Sequence, residues 1–281
     1  MPSRQLIINA DDLGFAPGVN RGIAEAHAAG TVTSASIMVT APAFKEAAAL
    51  VREQMPTLGV GLHFDILTCE PRNRLSSLTD PATGKFRSLA ELTVRALAGQ
   101  VTAADVRAEC DAQLASLAAE GITPTHVDSH RHTHALPGIL PGVVASARAA
   151  GIRTVRRPLD HMSVVDPVAS AKMLALYASW RVALSGLDAG GITLIGHAPH
   201  FRGIALQGAP DVKDRLLSLL DRLPPGATEL MLHPGYDDEV LAAQDPYRKE
   251  RERELAVLTS PEVRERLGRG DVTLVNFGQL D

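Results

Sequence analysis

Short apolar runs of strand length alternate along the chain with longer stretches in which apolar residues recur every three to four positions. The runs predict strands over 5–10, 34–40, 58–63, 125–128, 152–155, 192–195, 228–232 and 272–277. Helical spacing predicts helices over 17–27, where Val19, Ile23 and Ala26 share a face and Gly30 is the stop, and over 43–54, 102–119, 141–150 and 211–220. Ser260 before Pro261 has the form of an N-cap followed by a first-turn proline. Alternation of this kind is the signature of βα units around a parallel sheet. With about eight repeats it predicts an α/β fold, a TIM-like (β/α) barrel of irregular form, in a single domain over residues 1–281. Two segments break the rhythm. Residues 64–87 are rich in Pro, Arg and Ser, and residues 161–190 insert an apolar helix-like stretch; both read as long loops or lids around an active-site mouth.

Composition narrows the function classes. Hydrophobic residues are 45% and charged residues 21%, which supports an ordinary packed core. The net charge of -4, with no basic cluster standing apart from acids, argues against a nucleic-acid partner. Leu6-Ile7-Ile8 is too short for the core of a signal peptide, and Lys172 and Arg181 interrupt the most apolar stretch, so no membrane span is expected. Cys69 and Cys110 have no metal-type spacing and form no disulfide framework; reduced thiols in a cytoplasmic protein are the expectation.

Candidate chemistry gathers at predicted strand ends. Asp11 and Asp12, His63 and Asp65, the run from His126 to His134, His197 with His200, and His233 each fall there; of ten histidines, only His27 and His161 lie elsewhere. Strand C-termini build the active face of a parallel barrel. Ala10-Asp11-Asp12-Leu13-Gly14 puts acids where a dinucleotide-binding sheet would place glycines, which argues against that fold. One carboxylate with two imidazoles and open positions suits a divalent ion acting as a Lewis acid. On a straight strand Asp11 and Asp12 would point to opposite sides, whereas a turn through Gly14 lets both face one site, one as ligand and the other handling protons. A solvated loop or helix cap is the plainer account of such a pair. His130, His132 and His134 share a side if extended, while a helical turn pairs only His130 with His134. No cysteine accompanies them, so a structural zinc site has little support. His233, before Pro234-Gly235, is either a site residue or a core histidine.

Asn9-Ala10-Asp11-Asp12-Leu13-Gly14, Gly59-Val60-Gly61-Leu62-His63, Pro124-Thr125-His126-Val127-Asp128-Ser129-His130-Arg131-His132-Thr133-His134 and Glu229-Leu230-Met231-Leu232-His233-Pro234-Gly235 occur in the order seen in one family. The chain resembles the YdjC-like (ChbG/HpnK) carbohydrate deacetylases over nearly its whole length. The resemblance implies a deformed TIM-like barrel, a homodimer, and hydrolysis of the acetamide of an N-acetylated sugar. It further implies a divalent metal ion, Mg2+ with Zn2+ as the alternative. Carried over by position, Asp12, His63 and His130 are metal ligands, Asp11 is the general base, and His233 serves as acid or stabilises the intermediate. His132, His134 and Trp180 are candidates for contacting substrate. Leu13 stands where members commonly have Phe, and Arg131 where they often have His; both departures touch only the substrate pocket. The apolar insert with Tyr177 and Trp180 points to the hopanoid-associated branch and a lipid-linked glycan, with chito-oligosaccharide the other substrate class. A metal-dependent phosphoesterase and a catalytically silent sugar-binding protein are the competing readings.

Overall fold

The structure is a computed structural model that describes residues 4–161 and 167–280. The expected loop over 161–190 falls partly on 162–166, outside the described residues. The chain runs β1 (Arg4–Leu13), α1 (Pro17–Ala28), β2 (Ser34–Ile37), α2 (Phe44–Gln54), β3 (Gly59–Phe64), α3 (Leu89–Leu97), α4 (Ala103–Ala119) and β4 (Val127–Ser129). A 3-10 segment (His130–Ala135) then leads to α5 (Leu140–Ala149), α6 (Pro167–Leu184), α7 (Ala189–Gly196), β5 (His200–Arg202) and α8 (Val212–Asp221). The final elements are β6 (Gly226–Leu232), α9 (Glu239–Ala242), α10 (Lys249–Leu258), α11 (Pro261–Leu267) and β7 (Thr273–Leu274). Parallel strands connected through helices make this the α/β class of the expected TIM-like type. The chain divides into two compact units, one of residues 1–37, 42–60 and 199–281, the other of 38–41 and 61–198.

In the first unit β1 is central. Its last eight residues are all buried, the pattern of a strand covered on both faces. It pairs in parallel with β2, β6 and β7, and β5 pairs with the far side of β6. The register with β6 is unbroken from Arg4↔Gly226 to Ala10↔Leu232. Against β2 it slips between Ala10 and Leu13, a bulge that falls on the two aspartates. Helix α1 opens with Pro17, whose missing N–H costs nothing in a first turn, and buries Val19, Ile23 and Ala26 as the spacing predicted. A Cβ added at Gly22 would sit 2.6 Å from the Gly235 Cα, so glycine lets α1 approach the loop that follows β6.

In the second unit β3 and β4 pair in parallel, with His63 opposite Asp128. Helix α4 starts at Thr102, whose side chain accepts the Asp105 N–H. The loop after β3 is pinned by two buried carboxylates. Asp65 accepts the backbone N–H groups of Leu67, Thr68 and Cys69, and Glu109 accepts those of Arg72 and Asn73. Helix α6 buries Met173, Trp180 and Ala183 and exposes Leu174 and Val182.

The strand predicted over 272–277 shortens to Thr273–Leu274, with Phe277 opening a 3-10 turn, and two others differ more. Residues 192–195 lie inside α7, where the Asp188 carboxylate accepts the Gly191 N–H and pairs with Arg148 at 2.9 Å, fixing a helix start that a short apolar run does not reveal. The strand expected at 152–155 reduces to one bridge, Val127↔Val155.

Candidate active site

In the first unit the bulge in β1 gives Asp12 a φ of 71°, a left-handed conformation that costs a non-glycine residue energy and recurs at functional sites. The turn predicted at Gly14 is thus shared, since Gly14 has φ 90° and Asp12 turns before it. Asp11 accepts a 2.8 Å hydrogen bond from the Asn9 amide, which also donates to Ser36 Oγ at 2.8 Å. Asp12 accepts from Arg251 Nη2 at 2.6 Å, and the same nitrogen donates to Asp245 at 2.7 Å. Burial works against the charged guanidinium, but the Asp12 and Asp245 carboxylates outweigh it and lift its pKa above the usual arginine value. His233 follows β6; its backbone N–H donates to Glu254 at 2.5 Å and its ring Nδ1 lies 4.0 Å from that carboxylate. Glu254 also accepts from the Tyr247 hydroxyl, whose ring meets the His233 ring edge-on at 5.6 Å. Burial and then Glu254 push the Tyr247 phenol well above its ordinary pKa.

In the second unit His63, His130 and Asp128 are buried at the ends of β3 and β4. The His63 and His130 rings lie 5.6 Å apart, and a ring nitrogen of each falls within 4.8 Å of the other. Asp128 receives His63 Nδ1 at 2.7 Å on one oxygen and Arg156 Nη2 at 2.7 Å on the other. Burial alone would raise the Asp128 pKa; Arg156 and His63 overcome it and hold the carboxyl far below the usual range. An ionised carboxylate accepts only, so His63 carries its proton on Nδ1 and directs the Nε2 lone pair outward.

The histidine run is neither extended nor one helical turn. Arg131 (φ 52°) and His132 (φ 54°) are left-handed within the 3-10 segment. This pairs His132 with His134 at 6.4 Å. His134 is fully buried, its Nδ1 on Ser129 Oγ at 2.5 Å and its Nε2 on the Arg156 carbonyl at 3.0 Å. Burial lowers its pKa to about 4. His132 is also held neutral, by burial and then by Arg156 and His134. Trp180 is 2% exposed and packs edge-on against His134 at 5.9 Å. The structure therefore places His134 and Trp180 in packed interior.

Other histidines part from the strand-end pattern. His197 is the exposed C-cap of α7 and His200 the exposed first residue of β5, at the opposite end from a strand C-terminus. His126 is buried under Gly61, where an added Cβ would meet its ring at 2.3 Å. Asp65 serves the loop described above. Arg156, Asp245, Tyr247, Arg251 and Glu254 escaped the sequence reading. For α10 a signal existed, because Arg251, Glu254, Leu255 and Leu258 share one helical face and all are buried.

Comparison with known proteins adds the context. The profile of the family described as YdjC-like protein matches residues 5–269. A carbohydrate deacetylase from Geobacillus stearothermophilus is 37% identical over 282 residues, covering 99% of this chain and 98% of that protein. One from Mus musculus is 32% identical, covering 100% and 96%. A crystal structure from Enterococcus faecalis V583, whose protein was provisionally assigned to cellobiose-phosphate cleavage, matches with a TM-score of 0.77 at 30% identity and 99% coverage of both chains.

Proposed function

The chain belongs to the YdjC-like family, and on that premise we propose that it is a carbohydrate deacetylase, hydrolysing the acetamide of an N-acetylated sugar to acetate and a free amine. Relatives of that name, similar over nearly their whole length, support the class. The observation that carries the chemistry is the His63–Asp128–Arg156 relay, in which a buried ionised carboxylate fixes one imidazole nitrogen and aims the other. Metal-ligating histidines characteristically have such a partner.

We propose Asp12, His63 and His130 as the residues that hold one divalent ion, Mg2+ or alternatively Zn2+. Such an ion would supply the Lewis acidity that a weakly electrophilic amide requires. Asp11, oriented by Asn9, takes a proton from the attacking water as its oxygen joins the carbonyl carbon. As the C–N bond breaks, His233 gives a proton to the departing nitrogen. The apolar character of the 161–190 segment is the ground for preferring a lipid-linked glycan, with a free chito-oligosaccharide as the alternative substrate. Homodimer assembly and residence in the cytoplasm belong to the same reading.

The test is acetate release from a panel of N-acetylated sugars and glycolipids, with and without chelator, and phosphate release from sugar phosphates in parallel. Acetate release that chelation abolishes, and metal loss in Asp12→Asn, His63→Ala and His130→Ala, are expected. Phosphate release without acetate release would replace the reading with a phosphoesterase.

A further inference from the structure

Helix α10 brings into the first unit a group that the reaction scheme does not yet use. Arg251 is 1% exposed and lies 239 residues from Asp12 in the chain. Its Nη2 bridges Asp12 and Asp245, and its Nε donates to the Tyr247 carbonyl at 2.9 Å. Its planar head lies 6.0 Å from the centre of the Phe15 ring and 5.6 Å from that of Tyr247. The Arg251 carbonyl accepts the Gly235 N–H at 3.3 Å, and one turn later Glu254 accepts the His233 N–H. One face of one helix thus ties down both the end of β1 and the end of β6.

We infer that Arg251 is the positioning residue for Asp12, holding its carboxylate in the orientation from which it ligates the ion; the inference rests on the deacetylase reading above. Three features separate this from an ordinary buried ion pair. The residue it grips is the one in β1 with a left-handed backbone, where an untethered side chain would let the bulge relax. Two carboxylates share one guanidinium nitrogen, which leaves the cluster with net negative charge, as a cation site needs. The remaining nitrogen, Nη1, is buried without a hydrogen-bond partner among the described residues, a cost that pairing alone gives no reason to retain.

The experiment measures Mn2+ affinity by electron paramagnetic resonance on the full-length protein, with melting temperature alongside. Arg251→Lys keeps the charge but loses the fork that bridges two carboxylates while Nε holds a carbonyl. Its Mn2+ affinity should fall by about 10–100-fold, the usual loss when the partner of a metal ligand is removed. Should the lysine variant not fold, Arg251→Met combined with Asp245→Asn removes the cation together with one carboxylate it balanced, and the same fall is expected. Wild-type Mn2+ affinity in a folded variant overturns the inference. A wild-type protein that binds no Mn2+ overturns it together with the ligand set. The loss of affinity in variants of a protein that releases no acetate would leave Arg251 in place and refute the deacetylase reading instead.

Discussion

Trp180→Ala decides what the 161–190 segment does. The indole is 2% exposed, meets His134 edge-on at 5.9 Å, and sits beside Ser179, whose hydroxyl donates to the Ala135 carbonyl at 2.6 Å. Helix α6 is thereby fastened to the histidine turn. Truncating a buried tryptophan costs ~3–5 kcal/mol, and of this the aromatic pair accounts for ~0.5–1.5 kcal/mol. With an unfolding entropy of ~2.1 cal/mol/K per residue, a chain of this length has a total of about 0.6 kcal/mol/K, so Tm should fall by roughly 5–8 °C. Thermal melts, paired with kcat/KM on an N-acetylated glycolipid and on the free N-acetylated sugar, provide the readout. A packing role predicts the Tm loss with similar losses on both substrates. A melting temperature within about 2 °C of wild type, with activity lost on the glycolipid alone, would refute the packing argument and return Trp180 to the substrate.

Asp11→Asn should keep bound metal and lose ~10²–10⁴-fold in turnover, measured by acetate release and elemental analysis; metal loss there would exchange the roles of the two aspartates. Asp128→Asn should weaken metal binding by ~10–100-fold, because His63 loses its orienting partner. It should also destabilise the fold by ~3–5 kcal/mol in denaturant titration, because Arg156 is left buried without its carboxylate. His134 makes stability pH-dependent. Its folded pKa is about 4, whereas in the unfolded chain it titrates near 6.5, so between those values the unfolded state binds more protons. Stability is then lost as pH falls through that window, by up to roughly 3 kcal/mol. His134→Gln should flatten the decline in Tm from pH 7 to 4, and an unchanged slope would count against a buried neutral imidazole.

The sequence discloses interactions carried by pattern and conceals those carried by distance. Leu6-Ile7-Ile8 and the apolar end of β6 announce buried strands, and Pro17 announces the start of α1. The aspartate pair and His63, His130 and His233 are legible because uncommon residue types end predicted strands. The 192–195 run misleads because four apolar residues suit either period, and a cap at Asp188 decides for helix. The strand near this position is instead His200–Arg202, whose polar ends carry no strand signal and whose order comes from pairing with Thr228–Leu230 of β6. The face that Arg251 and Glu254 share with Leu255 and Leu258 marks α10 as packed, but nothing local signals that Arg251 reaches Asp12. The left-handed turn at Arg131 and His132 is likewise invisible to any periodicity, because it breaks both of them.

Chain order has a consequence during synthesis. Apart from residues 38–41, the second unit is one continuous stretch, 61–198, while the first needs 1–37, 42–60 and the stretch from 199 onward. At a ribosomal rate of ~5–20 residues per second, β1 emerges roughly 10–50 s before α10. Throughout that interval Asp12 has no Arg251, and for most of it the apolar edge of β1 has no β6 to cover it. The second unit holds its own partners, Asp128 with His63 and Arg156, and is free to close meanwhile. A chain truncated near residue 200 and released from the ribosome should therefore show a protease-resistant fragment spanning 61–198 and an N-terminal arm that proteases cleave.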